Sequence, residues 1–328
     1  MNYRKLGLEG FEVSEVGLGC WQLGADWGQD ISKETAFNIL SEAEKNGITF
    51  FDTADVYGNG KSEIIIGEFL KTCKTPIRVA TKFGRAGNAY PDKYTKTVLR
   101  QTVLESMERL GVASIDLLQL HCIPTPYLKD GAIFNWLREL KAEGLIKHFG
   151  ASVETVEEGL ICIEQEGLLS LQVIFNVFRQ KLITELFPKA EAKGVGIIVR
   201  LPLASGLLTG KFTKETTFAE DDHRNFNRNG ECFNVGETFA GLPFKKGLEF
   251  VETIKNNVLP SHLNMVQLAL RWLLDHKAVS TIIPGASSVN QVISNASVSN
   301  LDALSEETHT ALRDLYKSQI HQEIRGGY

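Results

Sequence analysis

Asp52, Tyr57, Lys82 and His121 are the residues whose types could move a proton together. Asp52 and Tyr57 sit in "FFDTADVYG", Lys82 in "VATKFG" and His121 in "LLQLHCI", each at or just past the end of an apolar run. A tyrosine phenol titrates near ~10. It donates poorly to a carbonyl oxygen at neutral pH unless its anion is stabilised. A lysine ammonium beside the phenol supplies that stabilisation, and a carboxylate keeps the lysine charged and oriented. A neutral histidine N–H shares the load or orients a carbonyl. Such a set suits protonation of an oxygen while a hydride arrives from elsewhere. Two other chemistries use the same residue types. Lys82 could be a Schiff-base nucleophile of an aldolase, which requires a neutral amine; the nearby Asp52 argues for a charged one. Asp52 and His121 could ligate a divalent metal of a sugar isomerase, but no third carboxylate falls at a strand end. Cys122, beside His121, suggests a Cys/His nucleophile pair. Adjacent strand residues point to opposite faces, so Cys122 reads as core packing. Each residue alone has a bland reading as a loop cap, a surface group or a core histidine; the conjunction at successive strand ends outweighs it.

Something must hold these residues at one place. Eight short apolar runs alternate with helical patterns: 15–19, 48–53, 77–83, 115–121, 146–152, 171–176, 195–201 and 280–285. Helical spacing appears in Ala36, Leu40, Ala43 and Gly47, in Leu99, Val103, Met107 and Leu110, and in Val266, Leu270, Leu273 and Leu274. Several strands are apolar on both faces, as parallel strands covered by helices are. Eight βα units predict a closed (β/α)8 TIM barrel, with active-site residues at the C-terminal strand ends. A doubly wound open sheet is the alternative. It usually carries G-x-G-x-x-G after its first strand, and "GLGCWQLG" has the wrong spacing. Residues 1–14 read as an N-terminal β-hairpin placed to plug the lower end of the barrel. Residues 204–243 read as a long functional loop after strand seven, overhanging the catalytic face. With no repeat and no linker-like tract, residues 1–328 are expected to form one domain.

The bulk numbers exclude several classes. The chain has 328 residues, 43% hydrophobic and 23% charged, enough for a large core. A net charge of −5 argues against nucleic-acid and anionic-membrane partners, which reward a basic face. No run of ~18 apolar residues offers a membrane span, and "MNYRKLGLEGFEV" lacks the apolar core of a signal peptide. Five cysteines, odd in number and without CxxC or Cys/His clustering, suggest free thiols in a cytoplasmic protein and no metal site. Oligomeric state leaves no signal in the sequence.

The set Asp52, Tyr57, Lys82 and His121 resembles that of the aldo-keto reductase superfamily. So do "GLGCWQLG", "FFDTADVYG", "VATKFG", "IDLLQLH", "GLIKHFGAS", "LPLASGLLTGK" and "IIPGA", over almost the full length. The resemblance implies a (β/α)8 barrel that binds a nicotinamide dinucleotide without a Rossmann fold. It implies reversible hydride transfer to an aldehyde, ketone or sugar carbonyl, with a small-molecule carbonyl or alcohol as substrate. In that reading Tyr57 is the general acid/base, Lys82 lowers its pKa, Asp52 anchors Lys82 and His121 orients the carbonyl. A nonenzymatic redox-sensing subunit, such as the barrel partners of potassium channels, is the alternative.

The resemblance also implies cofactor contacts. Gly19, Cys20, Trp21 and Asp52 fall beside the cofactor. Ser152 and Gln172 fall where the carboxamide is held, although the asparagine that usually follows the serine is Val153. Arg200 stands where an aromatic ring usually stacks under the nicotinamide. Its fixed charge predicts tighter binding of the reduced cofactor. Leu203, Ser205, Gly206 and Leu207 offer backbone donors to the pyrophosphate, together with Lys211. Gly285, Ser287, Ser288 and Gln291, with Asn295 near the adenine, occupy the turn that reads the 2′-phosphate. No arginine stands there, so a 2′-phosphate gains less; the family's habit still implies NADP(H) first, with NAD(H) as the alternative. Trp21 and Trp27 are candidate substrate walls. Arg224 and Arg228 are candidate phosphate or substrate contacts, and "LRDLYKSQIHQEIRGGY" reads as an amphipathic helix with a loose tail.

Overall fold

A computed structural model describes residues 1–24 and 31–328. Two short strands, β1 (Tyr3–Lys5) and β2 (Glu12–Ser14), pair antiparallel as the expected hairpin. Eight parallel strands follow: β3 (Leu18–Gly19), β4 (Phe50–Asp52), β5 (Arg78–Phe83), β6 (Ile115–His121), β7 (Ile146–Ser152), β8 (Leu168–Ile174), β9 (Gly196–Arg200) and β10 (Val279–Ile282). Each pairs with its sequence neighbour, in the order β3 to β10. The ring closes through bridges Val16↔Ile282 and Gly19↔Gly285. The fold is a (β/α)8 barrel, and the open doubly wound sheet is excluded. All eight expected runs overlap a barrel strand, although β8 begins three residues before its run and β10 one residue before. β3 is shorter than its run, because Glu15 and Val16 join the ring only by the closing bonds Ile282 N to Glu15 O (3.0 Å) and Gly17 N to Ile282 O (2.8 Å).

The helical patterns are realised with local reasons at their ends. The helix Lys33–Lys45 starts where Ser32 Oγ accepts from Thr35 N, and it buries Ala36, Ile39, Leu40 and Ala43. Gly47 lies beyond it at φ +77°, a turn position rather than a helical one. Thr95 caps the helix Lys96–Leu110, and a reciprocal Asn264/Gln267 capping box starts Met265–Leu274. Such caps contribute about 1 kcal/mol each.

Phe50, Ala80, Leu117, Ile198 and Ile283 pack together in one buried cluster with Leu6 and Val13 of the hairpin segment. Arg4 pairs with Glu15 at 2.7 Å and donates to the carbonyls of Val279 and Leu274. The hairpin is therefore bolted to the N-terminal side of β10, as a plug requires. At the opposite end the register aligns the polar strand ends: Lys82 with Gln119, His121 with Ser152, and Ser152 with Gln172.

Candidate active site

The C-terminal strand ends open into a cavity of about 1230 Å³, which Tyr57, His121, Ser152, Gln172, Arg200 and Asn295 help to line. Under its floor lies Lys82, 1% exposed. Its Nζ donates to Asp52 Oδ1 (2.5 Å), Thr53 O (2.7 Å) and Tyr57 Oη (3.2 Å). A buried ammonium has three hydrogens, and here each has an acceptor. Asp52 Oδ2 accepts in turn from Gln119 Nε2 (3.0 Å) and Gln172 Nε2 (2.6 Å). The pair is thus fully compensated, which a buried ion pair must be. Burial pulls the Lys82 ammonium down, yet Asp52 and Tyr57 outweigh it and hold it above its usual range. That charged amine is the wrong state for a Schiff-base nucleophile.

Tyr57 leans over this floor. Trp21 stacks on it at 5.9 Å and His121 meets it edge-on at 5.9 Å. Burial pushes the phenol up to about 12; Lys82 pulls it back without prevailing. The expected lowering by Lys82 is real as a contribution, but desolvation is larger. His121 is held well below the usual histidine range, first by burial and then by Lys82, Arg85 and Arg200. It is a neutral imidazole. Its Nδ1 is buried without a partner among the described residues.

Around this centre the expected cofactor residues gather. Gly19, Cys20, Trp21, Asp52, Ser152, Gln172, Arg200, Leu203, Ser205, Gly206, Lys211, Gly285, Ser287, Gln291 and Asn295 line the one cavity. Leu207 does not: its side chain is in the core against Gly247. The Gly206 N–H is already donated to Leu203 O at 2.9 Å, so it is not a free donor. The backbone there is left-handed at Leu201, Ala204, Ser205 and Gly206, folding a tight loop at the rim. Past β10, Ser287 N and Oγ both donate to Gln291 Oε1, at 2.7 and 3.2 Å.

Gln119, Glu237 and Arg85 escaped the sequence reading, and Cys122 was misplaced by it. Gln119 precedes His121 by two positions on β6 and shares its face; strict alternation would have found it. Cys122 lines the cavity instead of packing in the core. Its φ of +47° breaks strand alternation immediately after His121. Its Sγ accepts from Arg200 Nη2 at 3.5 Å and lies 3.5 Å from Ser152 Oγ. Glu237 comes from a short turn, Val235–Glu237, in the long loop, and pairs with Arg200 Nη1. Arg85 bridges the His121 carbonyl (3.2 Å) and Glu154 (2.6 Å). The ligand atoms of Cys122, Glu154 and Glu237 cluster within 4.8 Å, and Arg200 and Arg85 fill the acceptor positions.

The loop reaches across the mouth. Arg224 lines the cavity but is committed to Asp222 (2.5 Å) and to the Phe218 ring (4.6 Å). Arg228 lies over Phe218 and Phe244 and does not line the cavity. Trp21 does line it, while Trp27 lies outside the described residues. The tail after helix Glu306–Leu315 is pinned rather than loose. Arg325 donates to the carbonyls of Gly241, Leu242 and Arg228 and to Asn229 Oδ1, and the Tyr328 ring covers Arg179.

The family model described as "Aldo/keto reductase family" matches residues 15–317. The uncharacterised oxidoreductase YqkF of Bacillus subtilis is 31% identical, with 99% of this chain and all of that protein covered. The NADH-specific methylglyoxal reductase of Escherichia coli is 27% identical over 94% of this chain and 97% of its own length. Among solved structures, the glycerol dehydrogenase AKR11B4 of Gluconobacter oxydans superposes with a TM-score of 0.80 at 26% identity, covering 99% of this chain and 98% of that one.

Proposed function

Because this chain belongs to the aldo-keto reductase family and is an oxidoreductase whose family uses nicotinamide cofactors, we propose that it interconverts aldehyde or ketone carbonyls and alcohols, sugars included, with Tyr57 as the general acid/base. The observation that carries this reading is the single ammonium of Lys82 bonded at once to the Asp52 carboxylate and the Tyr57 hydroxyl, directly under the cavity. A bound reduced dinucleotide supplies the hydride. Tyr57 gives its proton to the carbonyl oxygen as negative charge develops there. A phenol near 12 keeps that proton at neutral pH, yet it is still more acidic than the alcohol being formed. Lys82 stabilises the phenolate left behind, Asp52 and the two glutamine amides hold Lys82, and neutral His121 orients the carbonyl oxygen.

The residues present fit a nicotinamide dinucleotide. Ser152 and Gln172 border the floor beside His121, the left-handed loop 201–206 supplies a rim for phosphates, and the start of helix Val289–Ser297 borders the far end. That far end is lined by Ser287, Ser288, Asn290, Gln291, Ser294 and Asn295, all uncharged. Gln291 turns its carbonyl toward Ser287, and among the described residues of this turn none is a cation for a 2′-phosphate. We infer that NAD(H) is accepted alongside NADP(H), which relaxes the NADP(H) preference expected from sequence. The name of the NADH-specific relative supports the same reading. Carbonyl reduction by Tyr57→Phe, followed with NADPH and with NADH, is the test. Turnover is expected to fall about 10²–10⁴-fold, with dinucleotide affinity nearly intact because the phenol acts on the transition state. Wild-type turnover in that variant would overturn the assignment.

A further inference from the structure

Arg200 ends β9 at the cavity wall, and most of its charge is cancelled by a residue from elsewhere in the chain. Its Nη2 donates to Val153 O (3.2 Å) and Cys122 Sγ, while Nη1 meets the carboxylate of Glu237. Both side chains are largely buried, 11% and 15% exposed. Glu237 is not a mobile surface acid. Asn234 caps its turn by accepting from Gly236 N (2.7 Å). Ser205 Oγ donates to Glu237 O (3.0 Å) and accepts from Phe239 N (3.1 Å). The turn is thereby tied to the strained rim loop. A second guanidinium, Arg179, is 1% exposed, and its Nε and Nη1 have no partner among the described residues. A Cβ at Gly236 would come within 2.0 Å of Arg179 Nη1, so the turn sits directly on it. Burial, and after it Arg200, lowers Arg179 to about 10. Among the described residues Glu237 pairs with Arg200 alone and acts on Arg179 only through space. The pair is also felt at the catalytic centre: Glu237 raises Tyr57 and Arg200 lowers His121.

We propose that Glu237 sets which redox state of the nicotinamide dinucleotide this site prefers: by neutralising Arg200, it permits the oxidised, cationic ring to bind. The inference rests on the reading of the cavity as a dinucleotide site. Oxidised nicotinamide carries a positive charge and reduced nicotinamide does not, so an uncompensated guanidinium acts on one form only. Charges a few ångströms apart in a partly buried site interact strongly enough to change affinity about tenfold or more. Without Glu237, the reduced form keeps its affinity and the oxidised form loses it. Because Glu237 rides on the long loop and not on the barrel, this preference belongs to the loop's position. Arg200 alone, as read from sequence, would give a fixed bias toward the reduced form.

Calorimetric titration of NAD⁺, NADH, NADP⁺ and NADPH into the wild type and two variants tests the proposal. In Glu237→Gln the dissociation constant of the oxidised form should rise about tenfold or more, with the reduced form changed less than threefold. In Arg200→Met the ratio should move the other way, toward the oxidised form, since the cation nearest the ring is gone while Glu237 stays. This second variant decides the matter should the first fail to fold. Equal weakening of both forms, or an unmoved ratio in a folded variant, would overturn the proposal. Absence of binding by any of the four to the wild type would instead overturn the dinucleotide reading beneath it.

Discussion

The barrel floor and the loop above it solve the same electrostatic problem to different degrees. On the floor, one buried cation has three acceptors, and the carboxylate it meets has two further amide donors. In the loop region, Arg179 and Arg200 both keep buried N–H groups without a partner among the described residues. The floor is made by side chains from adjacent strands, whose register fixes their spacing. The loop is made by turns, left-handed residues and long side chains that reach across. A network completed by strand register resists change, whereas one completed by a loop can respond to what enters. In the proposed function the catalytic proton belongs to the first, and selectivity to the second.

The sharpest way to break the floor is Lys82→Met. It leaves Asp52 as a buried carboxylate with only two amide donors, a loss of about 3–5 kcal/mol in comparable buried pairs. Turnover should fall about 10³-fold or more, because both the phenolate's stabiliser and its anchor go. Adding Asp52→Asn should recover much of the melting temperature and none of the turnover. Recovery of turnover in the double variant would show that the ammonium acts on structure alone.

The same contrast decides what the sequence could reveal. The floor was legible because its residues lie at the ends of apolar runs whose period is fixed by the strand. Asp52, Lys82 and His121 line up from that pattern, and Gln119 was within its reach; Ser152 and Gln172 came only from the family resemblance. Cys122 was misplaced because one left-handed residue reverses the alternation, and nothing in its side chain announces that. Glu237 had no signal. It sits in a stretch without periodicity, and its partner is 37 positions away. The tail was expected to be loose because its glycines hide the fork geometry of Arg325.

Asp55 offers a finer test, since it is the floor loop's own unsettled group. It is 8% exposed; Oδ1 accepts from Val56 N, and Oδ2 has no partner among the described residues. Burial first, and then Glu63, push it up to about 7. An unfolded aspartate titrates near ~3.9, so between about pH 4 and 7 the native state holds a proton that the unfolded chain has released. The unfolded state then binds fewer protons, and stability falls as pH rises through that window. Asp55→Asn should therefore stabilise the protein at pH 8, by about 2–4 kcal/mol as a ceiling. The gain should shrink to near zero by pH 4. Denaturant melts at the two pH values measure it, and an equal effect at both would remove the titration argument.

The smallest expected effect probes the loop from its far side. Arg325 satisfies three backbone carbonyls and one side-chain oxygen of segment 228–242 with a single guanidinium. Asn229 Oδ1 is exposed and the three carbonyls are part-buried, so water replaces the guanidinium only in part in Arg325→Ala, and the net loss should be about 1–2 kcal/mol. That loss should be local. Amides of 228–242 should exchange faster while those of the barrel strands do not, because opening the loop does not break strand register. Arg325→Lys restores the charge but not the planar fork, so it should recover less than half of the protection. Uniformly faster exchange across the barrel would mean that the loop and the floor are one cooperative unit, and the division drawn between them would fail.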